Sequence, residues 1–394
     1  MMRSMVSIVV FILLIVNVSA FVSTDGKSNW IVAKTVHRNA ADLRAYHKEG
    51  RSRRKNYIPN YPSESVIASI QIGELEEEFV VSVETATIGL WVLDYTYPYV
   101  DTNLSTFWPD GPYSSAVYKG EYDGYSGDYK ILGNAYYDTV NVVNPRNQSF
   151  GSVFGVWSSN LDPVFNGPVS GVLGLGWNVL LANETVTPDS APILNIFDSF
   201  SSPLPRYYIQ YIRPDREHGG RVGYSTIIFG NQFSDGCNST IVTTASLSFY
   251  VERNILAFHL DSFSIRDRRA IGGTISVDSG LPIILLPLHA FFLVYDLIEP
   301  KYDYDLGVYT TNCSKREKLD DFVFTIGAKD LTVPSTSYIF ELDIGDNRCV
   351  VAFDNSQNYY STSYALGIPF QYNYCVKFDV DNSEISFQNA FFFW

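Results

Sequence analysis

From residue 65 onward the apolar residues of this chain fall in short runs, each closed by Gly, Asn, Asp or Pro. Runs of that kind, rich in Val, Ile, Tyr, Phe and Thr, predict β-strands. In the first half the pattern predicts strands over 65–73, 78–83, 89–93 and 131–143. Further on it predicts 207–212, 221–229, 258–265, 273–278, 321–326, 375–379 and 384–387. Helical signals are few, at 191–200 and 288–298. The texture is all-β. A body of about 330 residues is too long for one β core, so two lobes are expected.

The pattern also repeats. A strand ending Val83-Glu84-Thr85-Ala86 is followed later by Gly171-Val172-Leu173-Gly174-Leu175-Gly176. A strand ending Val277-Asp278-Ser279-Gly280 is followed later by Tyr364-Ala365-Leu366-Gly367-Ile368. Each half thus carries an acid strand first and an apolar-apolar-Gly strand afterwards. That order marks a duplicated hydrolase whose halves each bring one carboxylate to a shared site. The halves are unequal, because Glu84 stands opposite Asp278 and Ala86 opposite Gly280.

Charge divides the chain. Residues 1–20 read as a secretory signal, with Arg3, an apolar run over 6–16 and the small residues Val18-Ser19-Ala20. The run is too short to cross a bilayer comfortably, and no later segment is apolar enough to span. Residues 21–60 form a basic arm, and the body beyond it is strongly acidic. The net charge of −14 is a sum of opposites. Without the signal and arm, 18 basic residues face 39 acidic ones. Electrostatic docking of the arm onto the body is expected, helped by Trp30, Ile31, Val32 and Leu43. An acidic body argues against nucleic acid as a partner. The remaining boundaries expected are 61–235 for a first lobe and 236–394 for a second.

Four cysteines, Cys237, Cys313, Cys349 and Cys375, imply disulfides in a secreted chain, with three possible pairings. Asn103, Asn147, Asn183, Asn238 and Asn312 head glycosylation sequons that fit the same compartment, secreted or lysosomal. The glycines at 171, 174 and 176 lack the spacing and the Lys-Ser/Thr of a nucleotide loop. His218, His259 and His289 are scattered, so neither a metal site nor a Ser-His-Asp triad is expected. No cofactor is expected. The end, Phe391-Phe392-Phe393-Trp394, packs on the body or forms a sticky patch.

At these residues the chain resembles the pepsin-like aspartic proteases, from about Ser65 to Asn389. Ile70-Gln71-Ile72-Gly73 with Phe79-Val80-Val81-Ser82-Val83 is similar to the family's opening hairpin. Leu90-Trp91-Val92 sits at the family's spacing after the first active-site turn, and Val277 to Gly280 matches the second. Ile227-Ile228-Phe229-Gly230 resembles the segment near the lobe junction, and Tyr374 to Asp379 the ending. The resemblance implies two β lobes flanking a cleft for an extended peptide, and a prosegment, which the basic arm would be. It implies the pairings Cys313 with Cys349 and Cys237 with Cys375. It also implies a flap tyrosine, Tyr122 or the nearby Tyr125, bonded to Trp91.

In that family two aspartates share one proton and hold a water between them, one acting as base and one as acid. Asp278, Ser279 and Gly280 meet the pattern, although Leu281 and Pro282 replace small hydroxyl residues and remove an expected hydrogen bond to the aspartate. Glu84 does not meet it. One extra methylene moves a carboxyl by about 1.5 Å, and a misplacement near 1 Å can cost about a hundredfold in rate. At Ala86 a Cβ would add about 1–2 kcal/mol of strain if the position required positive φ, and Ile88 is bulky where the family usually has Ser. The expectation is therefore a family member with impaired or absent peptidase activity. It would bind extended peptides, or an active relative, in its cleft. The rivals are an active acid endopeptidase using Glu84 and Asp278, and a structural glycoprotein with an unused cleft.

Overall fold

The computed structural model describes residues 30–37 and, between 64 and 391, all but 75–77, 97–104, 112–113, 127–128, 144–147, 158–168, 178–190, 201–203, 214–221, 231–235, 251–254, 307, 342–346 and 360–362. The signal 1–20, most of the arm, the sequons at Asn103, Asn147 and Asn183, and the last three residues lie outside the described residues.

The protein is all-β and has the bilobal pepsin-like fold. The first half holds β1 (Trp30–His37), β2 (Glu64–Ile72), β3 (Phe79–Glu84), β4 (Leu90–Leu93), β5 (Val117–Ser126), β6 (Tyr129–Val143), β7 (Gln148–Trp157) and β8 (Gly171–Gly174). Then come β9 (Tyr207–Arg213) and β10 (Val222–Phe229). The second half opens with β11 (Cys237–Ser246), β12 (Ser248–Tyr250), β13 (Ile255–Ile265), β14 (Arg268–Val277) and β15 (Ile284–Leu286). It continues with β16 (Lys301–Asp303), β17 (Val308–Asn312), β18 (Phe322–Ile326), β19 (Lys329–Val333) and β20 (Ile339–Glu341). Last are β21 (Arg348–Val351), β22 (Phe353–Asn355), β23 (Tyr364–Leu366), β24 (Tyr374–Asp379) and β25 (Glu384–Ala390). The two anticipated helices are Pro192–Asp198 and Leu288–Ile298.

The duplication in the sequence is a duplication in topology. β8 lies parallel to β3 and antiparallel to β4, and β4 is parallel to β7. In the second half β23 lies parallel to β14 and antiparallel to β15, and β15 is parallel to β22. Both halves thread one strand between the strand that carries the acid and the strand that leaves it. Joining them is a run of strands in the order β11-β25-β24-β9-β10. The packed interior is continuous across the halves, from Val81 and Phe154 to Phe258, Phe324 and Phe387.

The threaded strand passes so close to the acid's turn that only glycine fits. A Cβ at Gly174 would lie 2.4 Å from the Thr87 carbonyl oxygen, and one at Gly367 2.1 Å from that of Ile283 and 2.2 Å from that of Leu281. Gly367 has φ −84°, so the backbone itself would accept a side chain and contact alone forbids it. Both obstacles are main chain and cannot swing away. Gly367→Ala is expected to lose about 1–3 kcal/mol as an overpacked site, read as a lowered urea midpoint.

Several strands were not anticipated, β5 and β11 among them. β5 reads Val-Tyr-Lys-Gly-Glu-Tyr-Asp-Gly-Tyr-Ser and β11 is mostly Asn, Ser and Thr, so neither shows apolar alternation. The described part of the basic arm is a strand as well. β1 pairs with β10 from Trp30↔Ile228 to Val36↔Val222, and with β2 from Lys34↔Ile67 to His37↔Glu64. The arm was expected to dock by charge. This part of it is held by backbone ladders on both sides, and its content of Trp, Ile, Val and Thr favours that.

The cysteines form the two implied disulfides. Cys237–Cys375 joins β11 to β24 with Cα atoms 5.9 Å apart, and Cys313–Cys349 ties the end of β17 to β21 at 4.9 Å. Asn312 is exposed beside Cys313, and Asn238 is half-buried in β11. No helix among the described residues is long and apolar enough to cross a membrane.

Candidate active site

β3 ends at Glu84 and β14 ends one residue before Asp278, so each acid leaves its strand at the start of a turn. The turns are clasped to each other by reciprocal hydroxyl bonds. Thr85 Oγ1 donates to the Val277 carbonyl at 3.0 Å and accepts the Ser279 N–H at 3.1 Å. Ser279 Oγ donates to the Val83 carbonyl at 2.7 Å. Thr85 and Ser279 are both fully buried. Leaving any of these groups unpaired would cost about 1–3 kcal/mol. The clasp links residues more than 190 positions apart and fixes where the two carboxyls stand.

Asp278 is half-buried. Its Oδ1 accepts the Gly280 N–H at 2.9 Å. Burial pushes its carboxyl up to about 6, partly offset by backbone N–H donors from Gly280 and from Ala86 of the opposite turn. Ala86 thus supplies an amide to the acid of the other half. Its φ does not fall in the left-handed region. The strain contemplated for a Cβ here is therefore not incurred, and Ala86 is buried.

Glu84 is half-buried and leans across the gap. A Cβ built on Gly280 would meet three atoms first, all of Glu84: Cγ at 2.4 Å, Cδ at 2.9 Å and Oε1 at 3.0 Å. Glu84 therefore lies against the bare Cα of the turn that carries Asp278. Its Oε2 accepts the Thr87 hydroxyl at 2.5 Å. The side chain with its extra methylene thus lies against Gly280, and Thr87 holds its far oxygen.

Thr87 was not singled out from the sequence. The available signal was its hydroxyl three positions after the acid, where the second half has Leu281. Leu281 instead joins an apolar cluster of Ile283, Leu285, Leu306, Val308, Val350 and Ala352. Ile88 is buried in the main core.

Beneath the turns stands Tyr208 of β9, also unnoticed in the sequence. It is fully buried, stacked on Phe378 at 4.9 Å, and its hydroxyl donates to the Leu175 carbonyl at 3.2 Å. Leu175 N–H in turn donates to the Glu84 carbonyl at 2.8 Å. Burial raises the Tyr208 phenol well above its ordinary value, and the nearby Asp278 carboxyl adds to this.

Trp91 is fully buried in β4 among Leu93, Trp157, Val169 and Val172. Tyr122 and Tyr125 lie on β5, paired with Gly133 and Lys130 of β6, so both belong to the long β5–β6 pairing. Their side chains lie outside the described residues, and with them the bond expected between Tyr122 and Trp91.

A family model described as eukaryotic aspartyl protease matches residues 65–390. Aspartic protease 1 of Caenorhabditis elegans is 26% identical over 351 residues, covering 84% of this chain and 83% of the relative. Pepsin A of Bos taurus is 24% identical over 343 residues, covering 83% and 85%. Rhizopuspepsin-4 of Rhizopus niveus is 29% identical over 268 residues, covering 66% and 60%. With a duplicated acid turn, a threaded glycine strand in each half and a match over most of its length, the chain belongs to the eukaryotic aspartyl protease family.

Proposed function

We propose that the chain cleaves peptide bonds in extended protein segments at acid pH, slowly, with Glu84 and Asp278 as the acid pair. What carries this reading is the contact of Glu84 with Gly280, because it brings the longer carboxyl to the turn that holds the shorter one. Asp278, shifted up to about 6, carries the proton at pH 4–5. Glu84, held by the Thr87 hydroxyl, takes a proton from a water that attacks the scissile carbonyl. Asp278 gives its proton to the carbonyl oxygen as the tetrahedral intermediate forms. The leaving amine is protonated when that intermediate breaks down, and the pair regains its single shared proton. In this reading 1–20 is a secretory signal, 21–60 a propeptide-like arm, 61–235 and 236–394 the lobes, and the hairpin with Tyr122 covers the bound peptide.

Incubating the mature protein with a denatured protein at pH 3–5 tests the reading. New N-termini, suppressed by pepstatin, are expected, at a rate roughly a hundredfold below that of a well-aligned pair. Pepstatin binding with no cleavage would refute catalysis and leave a peptide-binding cleft, open to a substrate or an active relative. One observation favours that second reading: Leu281 gives Asp278 no hydroxyl to orient it. Neither binding nor cleavage would leave a structural glycoprotein of the secretory pathway.

A further inference from the structure

We propose that the mirrored residues Thr87 and Leu281 give the acid pair a fixed polarity, with the charge seated on Glu84 and the proton on Asp278. The inference deepens the proposed function and rests on Glu84 and Asp278 facing one gap. Thr87 and Leu281 each stand three positions after an acid, in turns that topology makes equivalent. Gly174 abuts the carbonyl oxygens of Thr87 and Gly89, and Gly367 abuts those of Leu281 and Ile283. The two positions therefore occupy the same place in each half and differ in chemistry.

At the first, Thr87 Oγ1 donates to Glu84 Oε2 at 2.5 Å. A hydroxyl that donates to a carboxyl stabilises its charged form. At the second, Leu281 has no proton to give and is committed to the apolar cluster around Ile283 and Val350. Asp278 receives backbone N–H groups from Gly280 and Ala86. Burial outweighs them. Among the described residues, the titratable groups facing Asp278 are Glu84 across the gap and Tyr208 beneath, and neither is a cation. With both halves bearing a hydroxyl, the proton would have two similar seats. Here one seat has been removed. Thr87 is a positioning residue acting through Glu84, and Leu281 is the residue whose apolar side chain leaves the proton on Asp278.

The test compares Leu281→Thr with Leu281→Val, which share a shape and differ by one hydroxyl. The readout is the urea midpoint from pH 3 to 8, which needs no hydrolysis, with the pH profile of kcat beside it. In Leu281→Thr the upper titration is expected to move down by about one pH unit, as a hydrogen bond to the charged form requires. In Leu281→Val it stays put. Thr87→Val is expected to move the lower titration up, and Thr87→Ser to restore it. If Thr87→Val moves the upper titration instead, the proton sits on Glu84 and the proposal fails. It fails equally if Leu281→Thr and Leu281→Val titrate alike. Should the Leu281 variants not fold, the Thr87 pair decides alone. A wild type that shows these titrations but never cleaves would overturn the catalytic reading and leave the polarity standing.

Discussion

Asp278→Asn is expected to lower kcat about 10²–10⁴-fold, the contribution usual for a positioned acid–base group, while KM stays within a few-fold. Asparagine has the shape of the protonated aspartate, which is the form this carboxyl holds at acid pH because burial shifts it to about 6. The amide oxygen can still accept the Gly280 N–H now made at 2.9 Å. The Thr85–Ser279 clasp does not pass through the side chain of Asp278 and survives the change. The cleft is thus preserved, and the only loss is the proton that must reach the carbonyl oxygen. Steady-state kinetics on a peptide with one scissile bond would check this. Retention of more than a tenth of wild-type kcat would mean that hydrolysis, where observed, is not the work of this pair. A large rise in KM would instead point to a rearranged cleft.

The features legible in the sequence are those set by local interactions. The acid strands announce themselves because an apolar run ending in a carboxylate and a small hydroxyl residue is a local pattern, and its repetition exposed the duplication. Gly174 and Gly367 were legible for the same reason, as the close of an apolar-apolar-Gly run. The disulfide pairing was not decided by spacing and came only with the family likeness. The fit of Glu84 was hidden, because it depends on a missing side chain at Gly280, nearly two hundred positions away. Read locally, an extra methylene is a misplacement. In the fold, the Glu84 side chain lies on the bare Cα of the opposite turn. Ala86 was hidden in the same way, since the sequence does not reveal that its φ is ordinary. β1 was read as part of a charged arm because lysine and arginine are frequent in the stretch around it, although the segment itself is rich in Trp, Ile, Val and Thr and pairs on both sides.

The fold is expected to lose about 1–3 kcal/mol as pH rises from 4 to 7, and Asp278→Asn to abolish that loss. The folded carboxyl of Asp278 titrates near 6, against an ordinary 3.8. The native state therefore holds this proton more tightly than the unfolded chain does. Stability from it is fully present below about 3.8 and is lost as pH climbs through 6. A shift of about two units corresponds to roughly 3 kcal/mol, and the partial exposure of Asp278 reduces this. Asparagine binds no proton in either state, so its contribution does not vary with pH. The opposite slope comes from other carboxylates. For Asp303, burial raises the carboxyl, but the Leu306 N–H and Arg348, at 2.6 Å, outweigh it and leave the group below its ordinary value. Asp379 is lowered likewise, burial being outweighed by the Asn382 N–H and by Lys377 at 3.1 Å. Their stabilisation is present above the unfolded value and disappears as pH falls through their depressed ones. The two slopes leave a maximum near pH 4–5, where Asp278 is still protonated and Asp303 and Asp379 are still charged. Urea midpoints measured from pH 2 to 8 on wild type and Asp278→Asn would trace both limbs. A wild type that grows steadily more stable up to pH 7 would show that Asp278 does not hold its proton in the fold. The polarity of the acid pair would then lose its physical basis.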